Sequence, residues 1–308
     1  MIVDIHYHFI RWPSDEQKAR AMVSGFVHSG ARSGIKKTVD EVMPFYRESI
    51  NDPEGYNLVK RMDEGGIDVT AICIVDNINF GYDNDRIIRI NQYCASAAAK
   101  HPGRLIALAG IDPRRAGAPL LFRRCIEEFG MKGLKWHPDD GYYPNGEEAY
   151  KVLKVANELS VPLLTHTGPL GGSRAKYSHP IHLDDVALDF PNVTIIAAHM
   201  GDIWWHDWAA IAKHKENICG DLAMWQETAE TKPHLFRRYL REIVDIVGPE
   251  RVLFASDAPI FEPFISNRRW IEIIKNLSNK GADGIRFTNE EIKAILGENA
   301  ARIFKLKT

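Results

Sequence analysis

The sequence predicts an α/β fold: a (β/α)8 TIM barrel with an insertion after its first strand and a C-terminal helix. Three observations carry that expectation. Eight short runs rich in β-forming and apolar residues recur along the 308 residues, at 2–6, 69–75, 105–111, 133–137, 161–166, 193–199, 217–221 and 251–256. Helix-length stretches lie between them with apolar residues three and four apart, such as Val152, Val155, Ala156 and Leu159, or Leu235, Tyr239, Leu240, Ile243 and Val247. Several runs are apolar on both faces, which is the pattern of parallel strands covered by helices. Eight such units suit a closed barrel, and an open doubly wound sheet is the alternative arrangement.

The first run leads into the longest departure from the pattern, residues 11–52, which carry Trp12-Pro13, Ser24-Gly25, Ser29-Gly30 and Ser33-Gly34. The first clear helical pattern follows only near residues 53–64, so 11–52 reads as an insertion. In a barrel it emerges at the C-terminal face, where active sites sit, as a lid or a structural excursion. Strand and helix then alternate to residue 256, and a terminal helix is expected over 289–304. No low-complexity linker, tandem repeat or composition shift divides the chain, so residues 1–308 are read as a single domain.

Composition narrows the function classes. Hydrophobic residues make up 45% and charged residues 26%, enough for a sizeable core. The 39 basic and 41 acidic residues leave a formal charge of −2 with no long run of one sign. Nucleic acid and anionic membranes therefore find little to hold, and a small-molecule substrate is expected. The longest apolar stretches are far shorter than the ~20 residues of a membrane span. The start, Met1-Ile2-Val3-Asp4-Ile5, lacks the features of a signal peptide, which points to the cytoplasm. Cys73, Cys94, Cys125 and Cys219 lie far apart and read as small buried residues. Exposed helix faces on a barrel suit a homodimer.

Candidate chemistry gathers where the strands finish. His6 and His8 form an H-x-H pair that alternation places on one side, into the barrel. Val161–His166 and Val193–His199 both end apolar runs in histidine, and Leu253-Phe254-Ala255-Ser256 leads to Asp257. Barrel enzymes carry catalytic groups at these ends, and imidazole with carboxylate suits Zn2+ or another divalent transition metal. Lys135 and His137 share a face on the fourth strand. Arg174, in the glycine-bearing loop after the fifth, and Arg114 and Arg115, after the third, offer guanidinium groups for a carboxylate. Tyr7, Trp12, Tyr142, Tyr143, Trp204, Trp205, Trp225 and Phe261 all follow or flank strand candidates, so an aromatic barrel mouth is expected.

These residues resemble the amidohydrolase superfamily, and within it the amidohydrolase-related family that includes aminocarboxymuconate-semialdehyde decarboxylase. The likeness rests on Asp4-Ile5-His6-Tyr7-His8, Gly133-Leu134-Lys135-Trp136-His137-Pro138, His166-Thr167-Gly168, His199-Met200-Gly201 and Ser256-Asp257-Ala258-Pro259. It extends to Ile295–Arg302 near the end of the chain. The resemblance implies one divalent metal, Zn2+ or Mn2+, held by His6, His8, His166 and Asp257. It implies His199 beside the metal as a general acid/base or as a ligand to a second ion, which is the less expected case. Lys135, His137 and Arg174 are then left to meet the substrate.

Such a cation keeps an open position where water is acidified from about 15.7 towards about 7. Hydrolysis of a small carboxylate-bearing, cyclic or aromatic compound is the leading expectation, with Asp257 and His199 handling protons. Non-oxidative decarboxylation of an aromatic or muconate-type acid uses the same ligands and is the alternative. A catalytically silent binding barrel is a third reading, in which metal binds without turnover.

Overall fold

The computed structural model describes every residue except Asp283 and Thr308. Eight parallel strands pair in sequence order: β1 (Val3–His8), β2 (Val69–Cys73), β3 (Leu105–Gly110), β4 (Leu134–Trp136), β5 (Leu163–His166), β6 (Ile195–Ala198), β7 (Ile218–Asp221) and β8 (Val252–Leu253). The segment after β8 returns to β1, with Ile5 N donating to Phe254 O and His8 N donating to Ala258 O. Sequential order with this return makes a barrel and excludes the doubly wound sheet.

Thirteen α-helices cover the barrel and its ends among the described residues. They are α1 (Glu16–Gly30), α2 (Val39–Ile50), α3 (Tyr56–Gly65), α4 (Asn84–Lys100), α5 (Ala118–Glu127), α6 (Glu147–Leu159), α7 (His182–Asp189), α8 (Trp205–Ala212), α9 (Gln226–Thr231), α10 (Pro233–Val247), α11 (Asn267–Lys275), α12 (Asn289–Lys293) and α13 (Asn299–Phe304). None is long and apolar enough to cross a membrane. The expected terminal helix is α12 and α13 joined by a π-helical turn, Ala294–Glu298. Gly297 lies in that turn, where a Cβ would come 2.3 Å from Met1 O, so the turn packs on the start of β1.

Strand alternation divides the apolar residues into two layers. Ala71, Leu108, Leu164, Ile196, Cys219 and Leu253 fill the barrel interior, while Ile72, Leu134, Leu163, Ile195, Ile218 and Val252 face the helices. β1 breaks the alternation. Val3 and Ile5 belong to the interior and Tyr7 to the outer layer, with an irregular register between Asp4 and Tyr7. That bulge lets His6 follow Ile5 into the interior and keeps His8 there.

The insertion is more ordered than its glycines suggest. Asp15 caps α1, and Thr38 with Glu41 forms a capping box on α2. Val23, Val42, Met43, Tyr46 and Ile50 then make a small core of their own, with Trp12 packed against it. Tyr46 Oη donates to Ile260 O at 2.6 Å and Lys37 Nζ to Pro263 O at 2.7 Å. The insertion is thus docked on the segment that follows Asp257.

Candidate metal centre

Five imidazoles close a ring at the C-terminal mouth of the barrel. Ring centroids are 4.9 Å apart for His6 and His8, 5.9 Å for His8 and His137, and 4.8 Å for His137 and His166. The ring continues at 5.0 Å from His166 to His199 and 5.4 Å from His199 back to His6. His166 and His137 reach it by simple alternation from the interior residues Leu164 and Lys135. His199 does not, because it follows the inward Ala198 and would face the helices if β6 continued. A left-handed φ of 66° at His199, followed by 50° at Met200, turns its side chain back. Asp257 follows the interior residues Leu253 and Ala255 by alternation, and its own φ is 54°.

Asp257 lies at the His6–His8 edge. Its Oδ1 is 2.9 Å from His8 Nε2 and 3.4 Å from His6 Nε2, and the two nitrogens are 3.1 Å apart. Ligand atoms of a tetrahedral ion with bonds near 2.0–2.1 Å are about 3.3 Å apart, and those of an octahedral ion about 3.0 Å. The triangle therefore has the size of one face of a coordination shell.

Hydrogen bonds set the other nitrogens of these rings. His6 Nδ1 bonds Asp221 Oδ2 at 3.1 Å, His166 Nε2 bonds Gly168 O at 3.1 Å, and His199 Nδ1 bonds Ala223 O at 3.0 Å. Each ring spends its N–H on an oxygen and turns a lone pair elsewhere, as metal-ligating histidines do. His166 Nδ1, His137 Nε2 and Asp257 Oδ1 are buried without a hydrogen-bond partner among the described residues. Three such orphans in one ring are costly unless a ligand meets them. The donor set fits a divalent cation.

Electrostatics keeps these groups in ligand form. Burial drives His6 well below its ordinary pKa, and it takes His199 and His137 down to about 3, which favours the neutral form of these three rings. Burial alone would raise Asp257, but His6, His8 and His199 hold it well below the usual carboxylate range. Burial pushes Asp4 up to about 7. Asp4 accepts from both the backbone N–H and the hydroxyl of Ser256, bracing β1 against the segment that carries Asp257.

The structure brings together His6, His8, His166, His199 and Asp257, together with Lys135 and His137. Lys135 is 1% exposed, and its Nζ lies 2.7 Å from His6 Nε2. His137 Nδ1 lies 3.2 Å from Asp139 Oδ1. Arg174 stands apart, exposed on the wall of a polar cleft of about 400 Å³ shared with Arg114, Asn79 and Asp139. Arg114 is paired with Asp112 and Arg115 with Asp76, so neither is free for a ligand. The aromatic mouth is largely a scaffold instead. Trp225 Nε1 donates to His199 O, Tyr142 Oη accepts from His137 N, and Trp205 and Phe261 are buried.

Sequence reasoning missed Asp221 and the placement of Cys73. Asp221 ends β7 as Asp257 follows β8, an acid closing an interior strand, and that was its signal. Cys73 ends β2 with its Sγ within 4.8 Å of ligand atoms of His6 and His8.

Fold and site together define a TIM-barrel enzyme built around a divalent metal. The chain belongs to the amidohydrolase family, whose pattern matches residues 3–306. Solved structures with the same fold include a dihydroxybenzoic acid decarboxylase from a Polaromonas species with bound manganese and the inhibitor 2-nitroresorcinol. It is 17% identical, with TM-score 0.69 and coverage of 99% of this chain and 97% of the other. A 2,6-dihydroxybenzoate decarboxylase from Rhizobium is 19% identical with TM-score 0.67, covering 99% and 98%. The 5-carboxyvanillate decarboxylase of Sphingomonas paucimobilis is 17% identical with TM-score 0.65, covering 99% of both chains.

Proposed function

We propose that this enzyme hydrolyses a small substrate that carries a carboxylate, through a single cation bound by His6, His8, His166 and Asp257. The observation that carries the reading is Lys135, a buried ammonium whose nearest polar partner is a neutral imidazole. Lys135 forms no ion pair within 4.0 Å among the described residues. A fixed cation in a dry site accelerates the reaction in which negative charge develops beside it. In acyl transfer that charge grows on the carbonyl oxygen. In decarboxylation the carboxylate loses charge as carbon dioxide leaves, so a neighbouring ammonium stabilises the ground state more than the transition state.

A divalent cation held there supplies Lewis acidity, polarising the carbonyl and acidifying water. Asp257, ionised and beside the ligand nitrogens, accepts the proton of the attacking water. His199, whose Nδ1–H is spent on Ala223 O, takes up at its Nε2 lone pair the proton that Asp257 has accepted from the water and hands it to the leaving atom. Lys135 steadies the oxyanion. Arg174, on the cleft wall, is placed for a more distant carboxylate.

A second reading is non-oxidative decarboxylation of a hydroxylated aromatic acid, favoured by the activities named for the three solved structures with this fold. Substrate profiling of lactones, esters and amides bearing a carboxylate, alongside hydroxybenzoates, separates the two. Lys135→Met is expected to lower kcat/KM for hydrolysis by about 10²–10³-fold with metal retained. Release of carbon dioxide from hydroxybenzoates, undiminished in Lys135→Met, would favour the second reading.

A further inference from the structure

We propose that Asp221 is a positioning residue that holds the proton of His6 on Nδ1 and so keeps Nε2 open as a cation ligand. The proposal rests on the reading of His6 as a ligand. Asp221 is fully buried at the end of β7, and each of its oxygens has a task. Oδ1 accepts from His199 N at 2.8 Å and from Ala223 N at 3.1 Å, while Oδ2 faces His6 Nδ1 at 3.1 Å. Lys135 Nζ, a donor, lies 2.7 Å from His6 Nε2, so Nε2 is the accepting nitrogen and Nδ1 donates to Oδ2. His6 Nε2 then carries the lone pair that points at His8 Nε2, Asp257 Oδ1 and Lys135 Nζ. The same carboxylate holds the backbone turn that swings His199 inward.

This arrangement predicts an order of variants that a merely structural role does not. In Asp221→Asn the two backbone N–H groups keep the amide oxygen on their side, which leaves the NH2 facing His6 Nδ1. That donor requires a lone pair on Nδ1 and moves the proton to Nε2, the nitrogen a cation needs. Asp221→Ala removes the partner without imposing the wrong tautomer. The isosteric change is therefore the worse one.

The test is a competition titration of Zn2+ and of Mn2+ against a chelator, with long-range ¹H–¹⁵N spectra of the metal-free proteins to read the His6 tautomer. Binding is expected to weaken about 10-fold in Asp221→Ala and about 100-fold in Asp221→Asn. His6 should carry its proton on Nδ1 in the wild type and on Nε2 in Asp221→Asn. Asp221→Asn binding as tightly as Asp221→Ala or better, or a wild-type His6 protonated on Nε2, would overturn the proposal. Should Asp221→Asn fail to fold, the wild-type tautomer and the Asp221→Ala affinity decide it. A wild type that binds neither cation would sink the ligand reading instead, and the spectra would still judge Asp221.

Discussion

His199 illustrates how single residues build this site against the drift of their own strands. Its inward turn depends on a positive φ that a β-strand does not supply, held by Asp221 on its N–H and by Trp225 on its carbonyl. His166, by contrast, is delivered by alternation and spends its Nε2–H on Gly168 O. The two therefore have separable roles. His166→Ala is expected to lose both metal and activity, while His199→Ala keeps one metal and loses about 10²–10⁴-fold in turnover, as measured by metal content and kcat. Full metal content in His166→Ala would remove it from the ligand set. The histidines were legible in the sequence because each ends a run too apolar to leave a polar group without purpose. Asp221 escaped because its work is done through other residues, and such bonds span 215 positions from His6 to Asp221. The rim aromatics misled for the opposite reason. Their positions after strands were right, but their polar atoms serve the backbone of the site residues.

At the scale of elements, alternation on short strands does most of the placing, and glycines permit the close approaches. Gly110 ends β3 beside Lys135 of β4, with its N–H and carbonyl both held by the Asn91 side chain. A Cβ there would lie 2.3 Å from Ile74 O and 2.8 Å from Ile74 C, which are backbone atoms that cannot rotate away. Gly110→Ala should cost about 1–3 kcal/mol in urea unfolding and disturb the position of Lys135. Gly25, inside α1 with nothing within 4 Å of its Cβ position, sets the contrast. Gly25→Ala should gain up to about 1 kcal/mol through helix propensity. Equal effects from both would mean that the crowding at Gly110 is relieved elsewhere. The helices of the insertion were hidden by its Ser-Gly pairs. Their caps stood in plain view at Asp15 and at Thr38 with Glu41, but capping signals need an apolar stripe to act on, and that stripe closes only when α1 and α2 pack on each other.

For the whole molecule, the barrel is a device for bringing together groups far apart in the chain. Residues from β1, β4, β5, β6 and β8 or just beyond meet in one ring of imidazoles with one carboxylate and one ammonium. The eight-strand rhythm was legible because every strand is covered on both faces. Strand lengths were not, since the apolar runs continue past the last ladder bonds, so β4 keeps three residues and β8 two. The docked insertion closes over the β8 side, and Asp4 with Ser256 ties the first strand to the last segment. The cation, the ring and the closed barrel thus stand or fall as one assembly. The most direct test is elemental analysis of protein purified without chelator, with the metal-to-chain ratio taken before and after mild reconstitution. The account predicts about one zinc or manganese per chain, lost in His166→Ala. No metal after reconstitution would contradict it, because the five imidazoles would then be structural. About two ions per chain would contradict the single-cation site.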